Sequence, residues 1–200
     1  MCNLSERLEN YVRDNNNVDL TYRWKGKSAS DVNELFSQWN RDLNEVLSSH
    51  VSRNQKASKL EDIVKKILRW GGIHRFSDNR LNHYVNKILD GKFEGQEIDE
   101  DTLLSSWTKI LAAYDPVKYC IYDSRVAIAL KILVSEYDWF IPTRRRDDVG
   151  SFLRKQYVNP LTEAESYKKY LDLLSSVDAQ RRGLYEKKLF MLGGKITINV

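Results

Sequence analysis

The chain has 200 residues, of which 42% are hydrophobic and 30% are charged. This balance, with 9 Gly and 3 Pro, is typical of a globular protein and excludes a collagen-like, low-complexity or broadly disordered chain. No apolar run approaches the roughly 18 residues of a membrane span. The two cysteines, Cys2 and Cys120, are too few for a disulfide framework or a four-thiolate zinc site.

The charge balance is slightly basic, with 32 Lys and Arg against 28 Asp and Glu. These cations, together with 5 Trp and 11 Tyr, suit a protein that binds phosphates and stacks on bases. The net charge does not identify a polyanion partner by itself, because a local basic face matters more than the total. The opening Met1–Arg7 lacks the basic-then-apolar pattern of a signal peptide, so we expect a reduced, cytoplasmic location.

The dominant pattern along the chain is the three-and-four spacing of apolar residues that is typical of amphipathic helices. It predicts seven helices, whose apolar stripes cover residues 32–47, 60–68, 81–89, 103–111, 126–134, 163–177 and 179–190. Only residues 195–200 alternate as a strand does, and one strand cannot form a sheet. The predicted fold class is therefore mainly α.

Helix boundaries are indicated by capping and breaking residues. Ser77-Asp78 precedes the third stripe, Asp99–Asp101 precedes the fourth, and Asp115-Pro116 ends it, because proline cannot continue the hydrogen-bond ladder. Asp123-Ser124 is a plausible cap for the fifth helix. The pair Gly71-Gly72 is equally consistent with a helix stop and with the close approach of a ligand.

The segment 111–130 carries the most specific pattern: a helix, a loop broken by Pro116, a short extended stretch, and a carboxylate at the start of a new helix. The run Ile121–Val126 resembles the Val-Asp-x-x-Val/Ile signature of the helix-hairpin-helix (HhH-GPD) DNA glycosylases. It is similar in particular to bacterial proteins with an 8-oxoguanine glycosylase fold. The similarity covers about residues 59–190, including the segments Arg69–Ile73, Leu103–Tyr114 and Glu186–Phe190.

The resemblance implies a compact helical glycosylase-like domain over residues 56–200, after an N-terminal helical region, 1–55, of unassigned role, with one continuous globule as the alternative. It also implies that Asp123 is catalytic. N-glycosidic cleavage passes through an oxocarbenium-like sugar, which a nearby carboxylate stabilises. The structural alternative is an ordinary N-cap, and the two roles are compatible.

Two departures from the family pattern indicate a monofunctional enzyme with a degenerate hairpin. The positions of the Schiff-base lysine of bifunctional members hold Leu104 and Ser105, and residues 94–102 lack the Gly-rich hairpin. Lys109 and Lys118 are the nearest candidates for an assisting or lyase amine.

Candidate substrate contacts fall into two groups. Residues expected at the base pocket, with core packing as the alternative for the aromatic ones, are Trp70, Gly71, Tyr122, Trp139 and Phe190. Residues expected to bind DNA, with a solvated charged face as the alternative for the arginine run, are Arg125, Arg144, Arg145 and Arg146. The three histidines lack metal-ligand spacing, so no metal or other cofactor is expected.

These observations predict a nucleoid-associated DNA N-glycosylase that excises a modified base and leaves an abasic site. The base is an 8-oxoguanine-like lesion in repair, or a bulky modified base of phage DNA in anti-phage defence. The alternative is a non-catalytic helical DNA-binding module with the same fold. DNA is the expected partner, and neither a membrane nor a protein partner is implied.

Overall fold

The computed structural model describes residues 4–14, 26–93, 98, 102–134, 137, 139–142, 161–177 and 182–195. Within these ranges the secondary structure consists of α-helices: α1 (Leu4–Asp14), α2 (Ala29–Ser48), α3 (Arg53–Trp70), α4 (Asp78–Leu89), α5 (Leu104–Tyr114), α6 (Ser124–Leu133), α7 (Glu163–Val177) and α8 (Arg182–Lys195). The mainly α fold class is confirmed for the described residues. None of these helices combines the length and apolar character that a membrane crossing requires.

The chain divides into two units. The central unit is Ser30–Ile121, and the terminal unit combines Met1–Ala29 with Tyr122–Val200. The boundary predicted between residues 55 and 56 lies within α3, and the division into regions 1–55 and 56–200 stays a prediction.

In the central unit, α3 packs against both α4 and α5. Ser52 and Gln55 form a capping box at the start of α3, and the Ser77 hydroxyl caps α4 as predicted. Both helices end in a Schellman motif, with Gly72 and Gly91 in the left-handed region (φ 84° and 68°). The α3–α4 hairpin is thus delimited by local signals at all four helix ends.

Helix α5 is the buried centre of this unit. Nearly all of its side chains are buried, and Trp107 stacks on Tyr84 with ring centroids 5.6 Å apart. The helix ends at Tyr114, immediately before the predicted Asp115-Pro116 break. It begins at Leu104 after an N-cap, Leu103, that offers no side-chain hydrogen bond. The expected opening residues, Asp99–Asp101, lie outside the described residues.

In the terminal unit, α6 and α8 form the main helix pair, and α7 packs against α1 and α8. The helix predicted at 179–190 is observed at Arg182–Lys195, so the predicted end at Phe190 is wrong. Lys195, the first residue of the predicted strand, is helical, and the rest of that strand lies outside the described residues. The helix continues through Gly193-Gly194 because tertiary packing against α6 compensates for the weak helix propensity of glycine.

Candidate functional site

The approach to helix α6 is a hydrogen-bonded turn followed by a short buried stretch. One Asp115 carboxylate oxygen accepts hydrogen bonds from the backbone N–H groups of Val117 (3.1 Å) and Lys118 (3.0 Å). The Asp115 carbonyl accepts a further bond from the Tyr119 N–H. Residues 119–122 are then buried and lead directly to Asp123. The helix, the turn at Pro116 and the carboxylate at the start of α6 are thus observed in the predicted order.

Asp123 is the N-cap of α6. Its backbone is extended (φ −120°, ψ −178°), and its carboxylate oxygen Oδ1 accepts bonds from the N–H groups of Arg125 (3.0 Å) and Val126 (3.2 Å). Its carbonyl accepts the first intrahelical bond, from Ala127. The second carboxylate oxygen, Oδ2, accepts no hydrogen bond from any residue that the structure describes. The residue is half-buried, and the start of α6 anchors only one of its two carboxylate oxygens.

Arg125 connects Asp123 to helix α8. Its backbone N–H binds Asp123, while its guanidinium group lies 4.5 Å from the centroid of the Phe190 ring, in cation–π geometry. The backbone of Gly193 lies directly against the Arg125 carbonyl group. Phe190, predicted from the sequence as a pocket residue, is therefore brought beside the candidate catalytic turn, with Arg125 on one of its faces.

Two further pocket candidates lie in the core of the terminal unit. Tyr122 is fully buried, and its hydroxyl donates to the Phe140 carbonyl (2.8 Å). Burial raises the pKa of this hydroxyl far above its ordinary value, while a hydrogen bond with Ser166 lowers it to a smaller extent. Trp139 is 2% exposed, and its indole N–H donates to the Val134 carbonyl (3.0 Å). Both side chains have core partners, which favours the packing alternative for them.

Trp70 and Gly71 have structural roles within the central unit. The Trp70 ring makes edge contacts with Phe36 and Trp39, with centroids 5.0 and 5.6 Å apart. A Cβ at Gly71 would overlap the Lys109 Cδ atom and lie 2.6 Å from its Cε. The close approach at Gly71 is thus made by a lysine stem of the same unit. A base-binding role for these two residues stays a prediction.

The two candidate amines differ in environment. Lys109 is 4% exposed, and its ammonium group donates to the Ser105 carbonyl (2.6 Å) and hydroxyl (2.9 Å), one turn earlier on α5. Lys118 is exposed, and its ammonium group lies 5.0 Å from the centroid of the Tyr119 ring. Lys109 is therefore enclosed and hydrogen-bonded within its own helix, whereas Lys118 faces solvent.

The remaining DNA-binding candidates, Arg144, Arg145 and Arg146, lie outside the described residues. By sequence, the terminal unit carries 19 Lys and Arg against 14 Asp and Glu, whereas the central unit carries 13 against 14. Within the described residues, no group of three or more His, Cys, Asp or Glu side chains is arranged to hold a metal ion.

The sequence analysis missed one pair of residues at this turn, Gly193-Gly194. The helix predicted over 179–190 ends before this glycine pair. Glycines inside a helical pattern are also a signal of close backbone approach, and that signal was present. What it lacked was the partner: nothing local in the sequence connects Gly193 with Arg125.

Comparisons with protein-family models, with curated proteins and with solved structures give no match for this chain.

Proposed function

We propose that this chain is a DNA glycosylase with an HhH-GPD-like fold and a degenerate hairpin, and that Asp123 is its catalytic carboxylate. The substrate is a modified base in DNA, either an 8-oxoguanine-like lesion or a bulky modified base of phage DNA. The product is an abasic site. Support comes from the resemblance around Asp123 and from the geometry of its side chain.

The single observation that carries the proposal is the unequal use of the two Asp123 oxygens. Oδ1 is held by two backbone N–H groups, while Oδ2 accepts no hydrogen bond from the described residues. A carboxylate that stabilises a cationic sugar must be fixed in orientation and still present an oxygen to the sugar. Both conditions are met when the helix N-terminus anchors one oxygen only.

The reaction that fits this group is hydrolysis. As the N-glycosidic bond breaks, its electron pair leaves with the base and positive charge develops at C1′ and the ring oxygen of the deoxyribose. Oδ2 of Asp123 stabilises that charge. Water then adds its oxygen to C1′, and the proton that it loses is balanced by the proton that the departing base gains. Nothing in this sequence requires an amine nucleophile.

The environment of Lys109 supports a monofunctional enzyme. A Schiff base requires an unprotonated amine with access to the sugar carbon. The Lys109 ammonium group instead donates to Ser105 within its own helix, and its stem is enclosed against Gly71. We therefore expect borohydride to trap no covalent complex with the substrate DNA.

The test is Asp123→Asn, because asparagine is as good an N-cap as aspartate and lacks the charge. The measurement is alkali-labile strand breaks in duplexes that each carry one modified base, under single-turnover conditions. We expect Asp123→Asn to lower the rate about 100-fold or more with the melting temperature unchanged.

A matched control is Ser52→Ala, which removes the N-cap hydroxyl of α3 and should leave the rate unchanged. Asp123→Ala removes both the charge and the cap, so it should lose the activity and also about 1 kcal/mol of stability. Comparison with Asp123→Asn, which keeps the cap, then separates the two roles of the residue. If Asp123→Asn excises bases at the wild-type rate, the catalytic assignment is wrong. If the wild type binds duplex DNA but releases no base from any substrate, the non-catalytic binding module is the better description.

A further inference from the structure

Some cations of the α3–α4 hairpin form ion pairs with acidic side chains. One such pair lies at the end of the hairpin opposite the turn that connects the two helices. The Arg53 guanidinium donates to the Asp90 carboxylate (2.7 Å), which joins the start of α3 to the end of α4. Farther along α3, Lys65 forms an i,i+4 ion pair with Glu61. These pairs show that the hairpin places acidic partners beside some of its cations.

Four other cations of the same hairpin have no such partner. Lys59 and Lys66 on α3, Arg75 in the turn and Arg80 on α4 form no side-chain hydrogen bond or ion pair with any residue that the structure describes. Lys59, Lys66 and Arg75 are exposed, and Arg80 is half-buried. We call these four residues the hairpin cationic surface.

Arg80 provides the most specific observation. Its guanidinium Nε is buried without a hydrogen-bond partner among the described residues, so the groups that can meet a ligand are its terminal Nη atoms, which are not buried and have no partner there either. The charged fork of an arginine matches a phosphate better than any other common ligand except a carboxylate. The two exposed acidic side chains on these helices near the surface, Asp62 and Asp78, bind neither Arg80 nor the other three cations.

The spacing of the two lysines on α3 suits a nucleic-acid backbone. Lys59 and Lys66 are seven residues apart, close to two helical turns, so they lie on one face of α3 about 10 Å apart along its axis. That spacing is about three phosphate steps of one B-DNA strand, at 3.4 Å of rise each.

We infer that the hairpin cationic surface binds the phosphate backbone of duplex DNA. The choice of DNA as the polyanion rests on the proposed function, whereas the surface itself rests on the unpartnered cations. It adds a DNA contact in the central unit to the arginines predicted from the sequence, all of which belong to the terminal unit.

The experiment measures the affinity of the full chain for a short, unmodified, fluorescein-labelled DNA duplex by anisotropy at several salt concentrations. Two double variants, Lys59→Gln/Lys66→Gln and Arg75→Gln/Arg80→Gln, each remove two phosphate contacts. Each should lower the magnitude of the slope of log affinity against log salt by about 1.8, since each contact contributes about 0.9. Circular dichroism and the melting temperature check that both variants fold.

The matched control is Arg41→Gln/Lys92→Gln, which removes two exposed cations of the central unit that lie outside this surface. Its slope should equal that of the wild type. Unchanged slopes in both surface variants would overturn the inference, and so would an equal loss in the control, which would indicate a net-charge effect. DNA would be overturned as the partner if the wild type bound a duplex RNA of the same sequence more tightly than the DNA and the surface variants reduced the salt slope for RNA equally.

Failure of this inference is separable from failure of the proposed function. Asp123→Asn should keep the wild-type salt slope, and the surface variants should still excise the base at saturating protein. If the wild type releases no base but the surface variants reduce the slope of log affinity against log salt, the DNA-binding surface is supported and the glycosylase assignment is not. If bases are excised and the slopes do not change, the assignment stands without the surface.

Discussion

The backbone of Gly193 lies against the carbonyl group of Arg125, and no side chain fits between them. A Cβ at residue 193 would overlap the Arg125 carbonyl oxygen and lie 2.6 Å from its carbonyl carbon. Backbone atoms at the first turn of a helix cannot move aside as a flexible side chain can. The contact therefore fixes the distance between α6 and α8 at the turn that carries Asp123.

We expect Gly193→Ala to destabilise the protein by about 1–3 kcal/mol, the usual cost of overpacking, even though alanine has the higher helix propensity. The matched variant is Gly194→Ala, whose Cβ would make ordinary contacts with the Arg125 side chain at 3.8 and 3.9 Å. Gly194→Ala should be neutral or stabilising. Urea denaturation of both variants checks the prediction, which fails if the two substitutions have equal effects.

A second prediction concerns Gly71 and Lys109. Gly71 has φ −69° and ψ 3°, which suit alanine, so only the Lys109 stem excludes a methyl group there. We expect Gly71→Ala to cost about 1 kcal/mol in the wild type. In a Lys109→Ala background it should instead stabilise the protein by about 0.4–1 kcal/mol, since it restricts the unfolded chain.

The control for this double-mutant cycle is Gly72→Ala. Gly72 has φ 84° and no atom near its Cβ position, so its substitution should destabilise by about 1–2 kcal/mol in both backgrounds. The explanation of Gly71 would be contradicted if the effects of Gly71→Ala and Lys109→Ala were simply additive.

The third prediction concerns the start of α7, where Thr162 and Glu165 form a capping box. The Glu165 carboxylate accepts hydrogen bonds from the Thr162 N–H and hydroxyl, both 2.8 Å, and these bonds lower the pKa of Glu165 below its ordinary value of 4.5. Because the pKa is lower in the folded state, the stabilisation is present above pH 4.5 and is lost as the pH falls through the lowered pKa.

Glu165→Gln should therefore lower the melting temperature at pH 7, and the difference from the wild type should shrink steadily as the pH falls below 4.5. Asp172→Asn, an exposed acidic position on the same helix, should not change the melting temperature at pH 7. A difference between Glu165→Gln and the wild type that is constant over this pH range would exclude the charged cap as its cause.

Much of the fold could be predicted because its limits are set locally. Ser77 and Asp123 cap helices at the expected residues, and Asp115-Pro116 ends α5 where proline requires it. The end of α8 could not be predicted, because local propensity favours a stop near Gly193-Gly194 and only the contact with α6 reverses it. Local sequence does not encode that contact.

The local geometry of the candidate site could also be predicted, but its contacts between distant residues could not. The cap geometry of Asp123 follows from its position before an apolar stripe. The cation–π contact between Arg125 and Phe190 joins two distant parts of the chain, and neither residue type specifies the other. The Gly71-Gly72 pair was ambiguous because each glycine has its own reason: Gly72 supplies the left-handed turn, and Gly71 accommodates Lys109.

The terminal unit combines segments that are far apart along the chain, and this affects the order in which parts of the protein fold during synthesis. Helix α6, which carries the Asp123 turn, ends at Leu133, whereas its main packing partner, α8, begins only at Arg182 and is translated later. The α3–α4 hairpin, by contrast, is closed by contacts near in sequence, which form fastest. We expect the nascent chain to acquire this hairpin early and to complete the surroundings of the candidate carboxylate only once synthesis of α8 has finished.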